Sequence, residues 1–228
     1  KDLEAMGVKE VNLIAQDTTR YGLDLYGEYS LARLVKAITD ETSIPWIRLL
    51  YCYPDKITDE LIEQFRTNDR LVKYMDIPIQ HISDSVLKRM NRHGGKALIQ
   101  EAIHRLRESV PNIILRTTAM VGFPGETDED FAELCEFVKD VKFDRLGCFA
   151  YSEEEGTPAA QMEFVDNEIA VKRAETIEMI QSAIMDDWCE SMIGRELEVL
   201  VDYECAVENV TRFAEGKGYT VTCSEDDG

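Results

Sequence analysis

Five short β-rich runs, beginning at residues 10, 46, 74, 112 and 144, alternate with helical stripes through the first two thirds of the chain. That rhythm limits the fold more than any other feature. Each interval, 28 to 38 residues, suits one strand, one helix and their connections. Repeated βα units pair their strands in parallel through right-handed crossovers. The runs read as strands over 10–16, 46–51, 74–79, 112–118 and 144–150, each bounded by turn residues.

Helices fill the gaps and open on short polar residues. Ser30 precedes Leu31, Leu34, Val35 and Ile38; Thr58 precedes Leu61, Ile62 and Phe65; Ser83 precedes Val86, Leu87 and Met90. A helix over 96–109 carries Ile99, Ala102, Ile103 and Leu106 on one face and stops before Pro111. Thr127 and Asp130 stand at capping-box spacing ahead of Phe131, Leu134, Val138 and Val141. Residues 1–6 with Gly7 behind them read as the end of a helix, which implies at least one strand upstream.

After Tyr151 the rhythm breaks. A long amphipathic helix is predicted over 167–192, with Val171, Ala174, Ile177, Ile180, Ile184 and Trp188 as its stripe and Gly194 at its end. Residues 196–202 then alternate as a half-buried strand does. The expected organisation is an α/β chain: a partial barrel of parallel strands over 1–158, a linker helix region over 159–194, and a partial all-β domain over 195–228.

Composition narrows the function classes. A chain of 228 residues with 44% hydrophobic content can bury roughly 70% of its unfolded surface. No apolar run reaches the length of about 18 residues that spans a bilayer, and residues 1–6 lack a signal-peptide pattern. The expectation is a cytoplasmic, monomeric globular protein with no membrane association. The formal charge of -20 repels phosphate backbones and suits basic partners, so nucleic acid is disfavoured. Between 186 and 228 the chain has 12 acidic and 3 basic residues, which concentrates the acidity in the tail. Six cysteines lie 13 or more residues apart, so no C-x-x-C pair offers a zinc, redox or cluster site. No metal ligand is assigned.

In a parallel barrel, reactive groups gather at the C-terminal ends of strands. That rule selects Gln16, Asp17, Thr18, Thr19 and Arg20, then Tyr51, Tyr53 and Asp55, then Gln80 and His81, then Arg116, Thr117 and Thr118, then Tyr151. Arg116 interrupts an apolar strand, where a charge needs a carboxylate partner, either within the barrel or on a ligand. A single histidine without companion ligands points to hydrogen bonding for His81. The turn VGFPGET, Val121 to Thr127, joins a strand to a capped helix. Its glycines either make a tight connection or let a ligand approach the backbone and free N–H groups.

Taken together, QDTTRYG from Gln16, RLLYCYP from Arg48, DIPIQH from Asp76, VGFPGET, and FDRLG from Phe143 with EGTP at Glu155 resemble the RimO family of radical S-adenosylmethionine (SAM) methylthiotransferases. The resemblance covers roughly 1–201. It implies a TIM-like barrel transferase that places a methylthio group on the β-carbon of an aspartate in the twelfth protein of the small ribosomal subunit, a basic partner met alone or on the ribosome. It also implies SAM and two 4Fe-4S clusters, whose cysteines would lie in a C-x-x-x-C-x-x-C loop and an N-terminal domain. Neither set occurs in these 228 residues, so the chain alone is expected to be inactive.

By the same resemblance, Gln16 and Asp17 would approach SAM or substrate, Gln80 and His81 would line the centre, and Arg116 would meet a carboxylate. Gly122, Gly125 and Glu126 would flank the adenosine, with Tyr151 at the rim. The C-terminal part resembles the start of a TRAM module. A tRNA methylthiotransferase of the MiaB type and a non-catalytic acidic binding module are the alternatives.

Overall fold

The computed structural model describes residues 1–195 and 204–224 of the chain. Five strands, β1 (Glu10–Leu13), β2 (Trp46–Leu49), β3 (Leu71–Gln80), β4 (Ile114–Val121) and β5 (Arg145–Ala150), form one sheet in chain order. Every neighbouring pair is parallel, as the βα rhythm predicts. The helices are α1 (Asp2–Ala5), α2 (Leu23–Tyr26), α3 (Leu31–Glu41), α4 (Asp59–Thr67), α5 (Asp84–Arg89), α6 (Gly95–Ser109), α7 (Asp128–Val141), α8 (Asn167–Ser191) and α9 (Glu204–Gly216).

The strand pleat sorts side chains onto two faces. Ile47, Leu49, Met75, Ile77, Leu115, Ala119 and Val121 are buried and share one core with Leu61 and Phe65 of α4, Leu106 of α6, and Leu134 and Val138 of α7. The alternate residues of β4, namely Ile114, Arg116, Thr118 and Met120, stay half exposed on the other face. An open sheet with helices on one side leaves this second, polar face free of core packing. Two of the predicted strands run longer than the sequence suggests: β3 begins at Leu71 and β4 ends at Val121.

The caps differ in kind. Thr58 accepts from Leu61 N–H, and Thr127 and Asp130 close a complete capping box. Ser30 and Ser83 precede their helices without capping them. Ser30 Oγ donates to Glu28 O, while Ser83 Oγ donates to the Asp130 carboxylate at 2.5 Å.

The chain divides into two compact units, Lys1–Trp188 and Cys189–Gly228. The strand predicted over 196–202 lies outside the described residues. The rest of the segment expected as a TRAM-like all-β domain departs from that reading: 204–216 is the helix α9, and no strand occurs among the described residues there. Val207, Val210, Thr211 and Ala214 recur at helical spacing, and that period overrides the β-propensity of the valines. No helix among the described residues is long and apolar enough to cross a membrane.

Candidate functional site on the concave face

Strand alternation sets a row of polar side chains along the uncovered face of the sheet. Parallel register places Glu10 and Asn12 beside Trp46 and Arg48, and Tyr74 and Asp76 beside Ile114 and Arg116. Asp76 is the pivot. Its carboxylate, 2% exposed, accepts from Arg116 Nη1 at 2.5 Å and from the Tyr51 backbone N–H at 3.1 Å. Tyr51 pays for the second bond with a left-handed backbone, φ 55°, rare for a residue with a Cβ. Gln80, which ends β3, is also left-handed at φ 68°. Both departures fall at the C-terminal ends of strands, where parallel barrels hold their ligands.

Arg116 meets the carboxylate that its position demands, and that carboxylate is internal. Burial works against its charge, but the hydrogen bond and charge of Asp76 outweigh it and raise the guanidinium pKa. The side chain remains 40% exposed, so its other N–H donors face the open side of the sheet. Next to it, Arg48 bridges Glu10 at 2.7 Å and lies 4.9 Å over the Tyr74 ring. Burial, ahead of the neighbouring charges, pushes the Tyr74 phenol up. The same face exposes Ile14, Trp46 and Phe149. At the end of β5, the Tyr151 hydroxyl is buried without a hydrogen-bond partner, its ring edge-on to Phe123 at 5.1 Å.

The residues drawn from the GFPGE turn and DIPIQH assemble elsewhere. His81 is fully buried, accepts from Ser83 N–H at Nδ1 (3.0 Å), and so carries its proton at Nε2. That nitrogen has no hydrogen-bond partner and lies 3.7 Å from the Glu126 carboxylate. Burial lowers the imidazole pKa to about 4, so the ring is neutral. Glu126 accepts from Gly122 N–H at 2.7 Å and from Arg173 of α8 at 2.8 Å. Arg173 also reaches Asp128 at 2.5 Å and lies over Phe131 at 5.2 Å. Gly122 is required by packing: a Cβ there would sit 2.3 Å from Ala170 Cβ. Gly125 turns its carbonyl to Arg89. The turn therefore clamps α8, and its groups are spent on partners within the chain.

After β1, Gln16 is exposed, while Asp17 caps a short helical turn by accepting from Thr19 and Arg20. Arg20 extends to Asp55 at 3.5 Å, and Thr18 donates to Leu50 O. These bonds tie the β1 loop to the end of β2. Of the residues selected by sequence, the uncovered face and its rim thus hold Arg116 and Tyr51, with Gln16, Gln80 and Tyr151 at strand ends; His81, Gly122, Gly125 and Glu126 lie in the α8 clamp. Asp76, Tyr74, Arg48 and Glu10 escaped the strand-end rule because they sit within strands. Their signal was a polar or charged residue at an alternate position of each strand, on the face that carries no core packing.

Among the described residues, no group of three or more His, Cys, Asp or Glu side chains could hold a metal ion. Cys52, Cys135 and Cys148 are buried and far apart in sequence, and burial pushes the Cys148 thiol up to about 12.

A five-stranded parallel βα sheet with one polar, uncovered face is the architecture of an α/β partial barrel. The family model for the Radical SAM superfamily matches residues 1–138, and the chain belongs to that superfamily. Within it, the chain is similar to ribosomal protein uS12 methylthiotransferase RimO: 52% identical to that of Clostridium botulinum and 50% to that of Clostridium perfringens, each over 203 residues. Those matches take in 89% of this chain and 46% of each relative, so it spans about half the length of the curated relatives it matches. Among solved structures, coproporphyrinogen III oxidase of Escherichia coli, a radical SAM enzyme, superposes with TM-score 0.51 over 69% of this chain and 36% of that one at 19% identity, a likeness of fold.

Proposed function

We propose that the chain is the barrel portion of a methylthiotransferase of the RimO type, which uses SAM to add a methylthio group to an aspartate of ribosomal protein uS12. The observation that carries this reading is the 52% identity over 203 residues, 89% of the chain. The charge of -20 favours a basic protein over a tRNA as the partner.

SAM fits the concave face. Arg116, anchored by Asp76, offers its remaining N–H donors to the methionine carboxylate. The unpartnered Tyr151 hydroxyl offers a buried polar contact, and Gln16 and Gln80 line the strand ends. His81, Gly122, Gly125 and Glu126 act behind this face by fixing the turn, and Asp17 fixes the β1 loop. When bound, SAM supplies the carbon radical that abstracts hydrogen. The iron-sulfur clusters of such enzymes find no ligand set among the described residues, and the buried thiols do not fit one. Reconstituted alone with iron and sulfide, the 228 residues are expected to cleave no SAM.

The test joins the chain to the part of the C. botulinum relative that it does not span, reconstitutes the clusters, and scores products by mass spectrometry. A methylthio group on an aspartate of uS12 is the expected result. A methylthio group on tRNA, with uS12 unmodified, would replace this reading by the MiaB type.

A further inference from the structure

The segment between β1 and α3 sets large apolar side chains in water. Leu23, Leu25, Tyr26 and Tyr29 are 43%, 61%, 50% and 37% exposed, and all four fall within 23–29. Single exposed apolar residues are ordinary, but adjacent ones mark a binding surface.

The segment is also held in shape. Gly22 and Gly27, at φ 93° and 75°, bracket α2. A Cβ on Gly22 would lie 2.6 Å from Ser30 Cβ, so the turn closes tightly on itself. Ser30 N–H donates to Tyr21 O at 2.7 Å, and the Tyr21 and Tyr26 rings meet edge to face at 6.5 Å. The Thr18–Leu50 and Arg20–Asp55 contacts fix the root of the segment to the end of β2, beside the concave face. A rigid apolar tip loses little conformational entropy on binding, which is how preorganised surfaces gain affinity.

Its chemistry indicates the partner. Arg33 lies 4.7 Å over the Tyr26 ring, and Lys56 lies 5.3 Å from the centre of the Tyr29 ring, so both rings already accept cations. Asp24 is exposed on the same tip, Glu28 is exposed there and shared with Arg33 at 3.9 Å, and the chain as a whole has a net charge of -20. We propose that 21–29 forms a docking lip for a basic polypeptide segment, with Leu25 and Tyr26 as its dry centre and Asp24 and Glu28 as its charged rim. The lip lies at the strand ends where a substrate would enter, and in that respect the inference rests on the uS12 reading.

The experiment compares the whole chain with a Leu25→Ser/Tyr26→Ser variant, measuring affinity for purified uS12 by isothermal titration calorimetry and checking the fold by thermal unfolding. Tyr26 also meets Tyr21 and Arg33, so a single Leu25→Ser variant, at a 61% exposed position where the unfolding midpoint should not move, is measured beside the double one and should lose affinity in the same direction. The expected result is binding by the parent chain and an affinity at least tenfold weaker in the variant. Equal affinities would overturn the lip while leaving uS12 as the partner. Absence of binding by the parent would overturn the partner and the lip together, and a tenfold loss of tRNA binding in the same variant would overturn the class of partner.

Discussion

Asp76 shows how one side chain organises its surroundings. Its carboxylate holds Arg116 beside it in register and accepts from the Tyr51 N–H in a left-handed turn, so one strand end and a guanidinium are set by one buried acid. His81 works differently, as a neutral ring locked among charged groups. Asp130, Arg89, Arg173 and Glu126 surround it, and burial holds its pKa near 4 against an ordinary value of 6.5. Between those values the unfolded chain binds a proton that the folded chain refuses. The His81 contribution is therefore complete above about pH 6.5 and falls as the pH is lowered toward about 4, by up to ~1.4 kcal/mol per pH unit, opposed in part by Glu126, whose carboxyl burial pushes up. Urea unfolding across that window should show the slope, and His81→Gln should flatten it. Asp130 cannot mimic the effect. Burial would raise its carboxyl, but hydrogen bonds from Ser83, Thr127 and Ser85 hold it down at about 2, so its contribution fades only below its ordinary 3.8.

At the level of elements, the turn after β4 and the helix α8 behave as one device. Gly122 lets Ala170 close on the backbone, and Glu126 with Asp128 grips Arg173. Gly122→Ala adds a Cβ at φ 71°, 2.3 Å from Ala170 Cβ, and should cost about 2–4 kcal/mol in urea unfolding. Gly156→Ala, at φ 83° with nothing within 4 Å, should cost only the backbone share of about 1 kcal/mol. Similar losses at both sites would refute the packing account. The five strands and the longer helices up to 194 were legible because their periods differ and their lengths exceed a single turn; α2, four residues between two glycines, was not read. The role of VGFPGET was not, because a glycine needed for close helix packing and a glycine needed for ligand approach are the same letter. The helix α9 was missed for another reason: the alternation over 196–202 tilted the reading toward strands, although Val207, Val210, Thr211 and Ala214 keep a helical spacing.

Across the whole molecule, helices cover one face of a parallel sheet and leave the other lined with charge. Glu10, Arg48, Tyr74, Asp76 and Arg116 sit there although burial in a closed core would exclude most of them. Such a face is consistent with a ligand that carries its own charges, and SAM, with a carboxylate, an ammonium and a sulfonium, is of that kind. In the function proposed above, Arg116, held by Asp76, receives the SAM carboxylate. The most direct test is SAM affinity by equilibrium dialysis, in the chain joined to the remainder of the C. botulinum relative, with and without Arg116→Gln. A loss of about tenfold or more, roughly 1.4 kcal/mol or beyond, with an intact unfolding transition is the predicted result. Undiminished affinity would contradict the account.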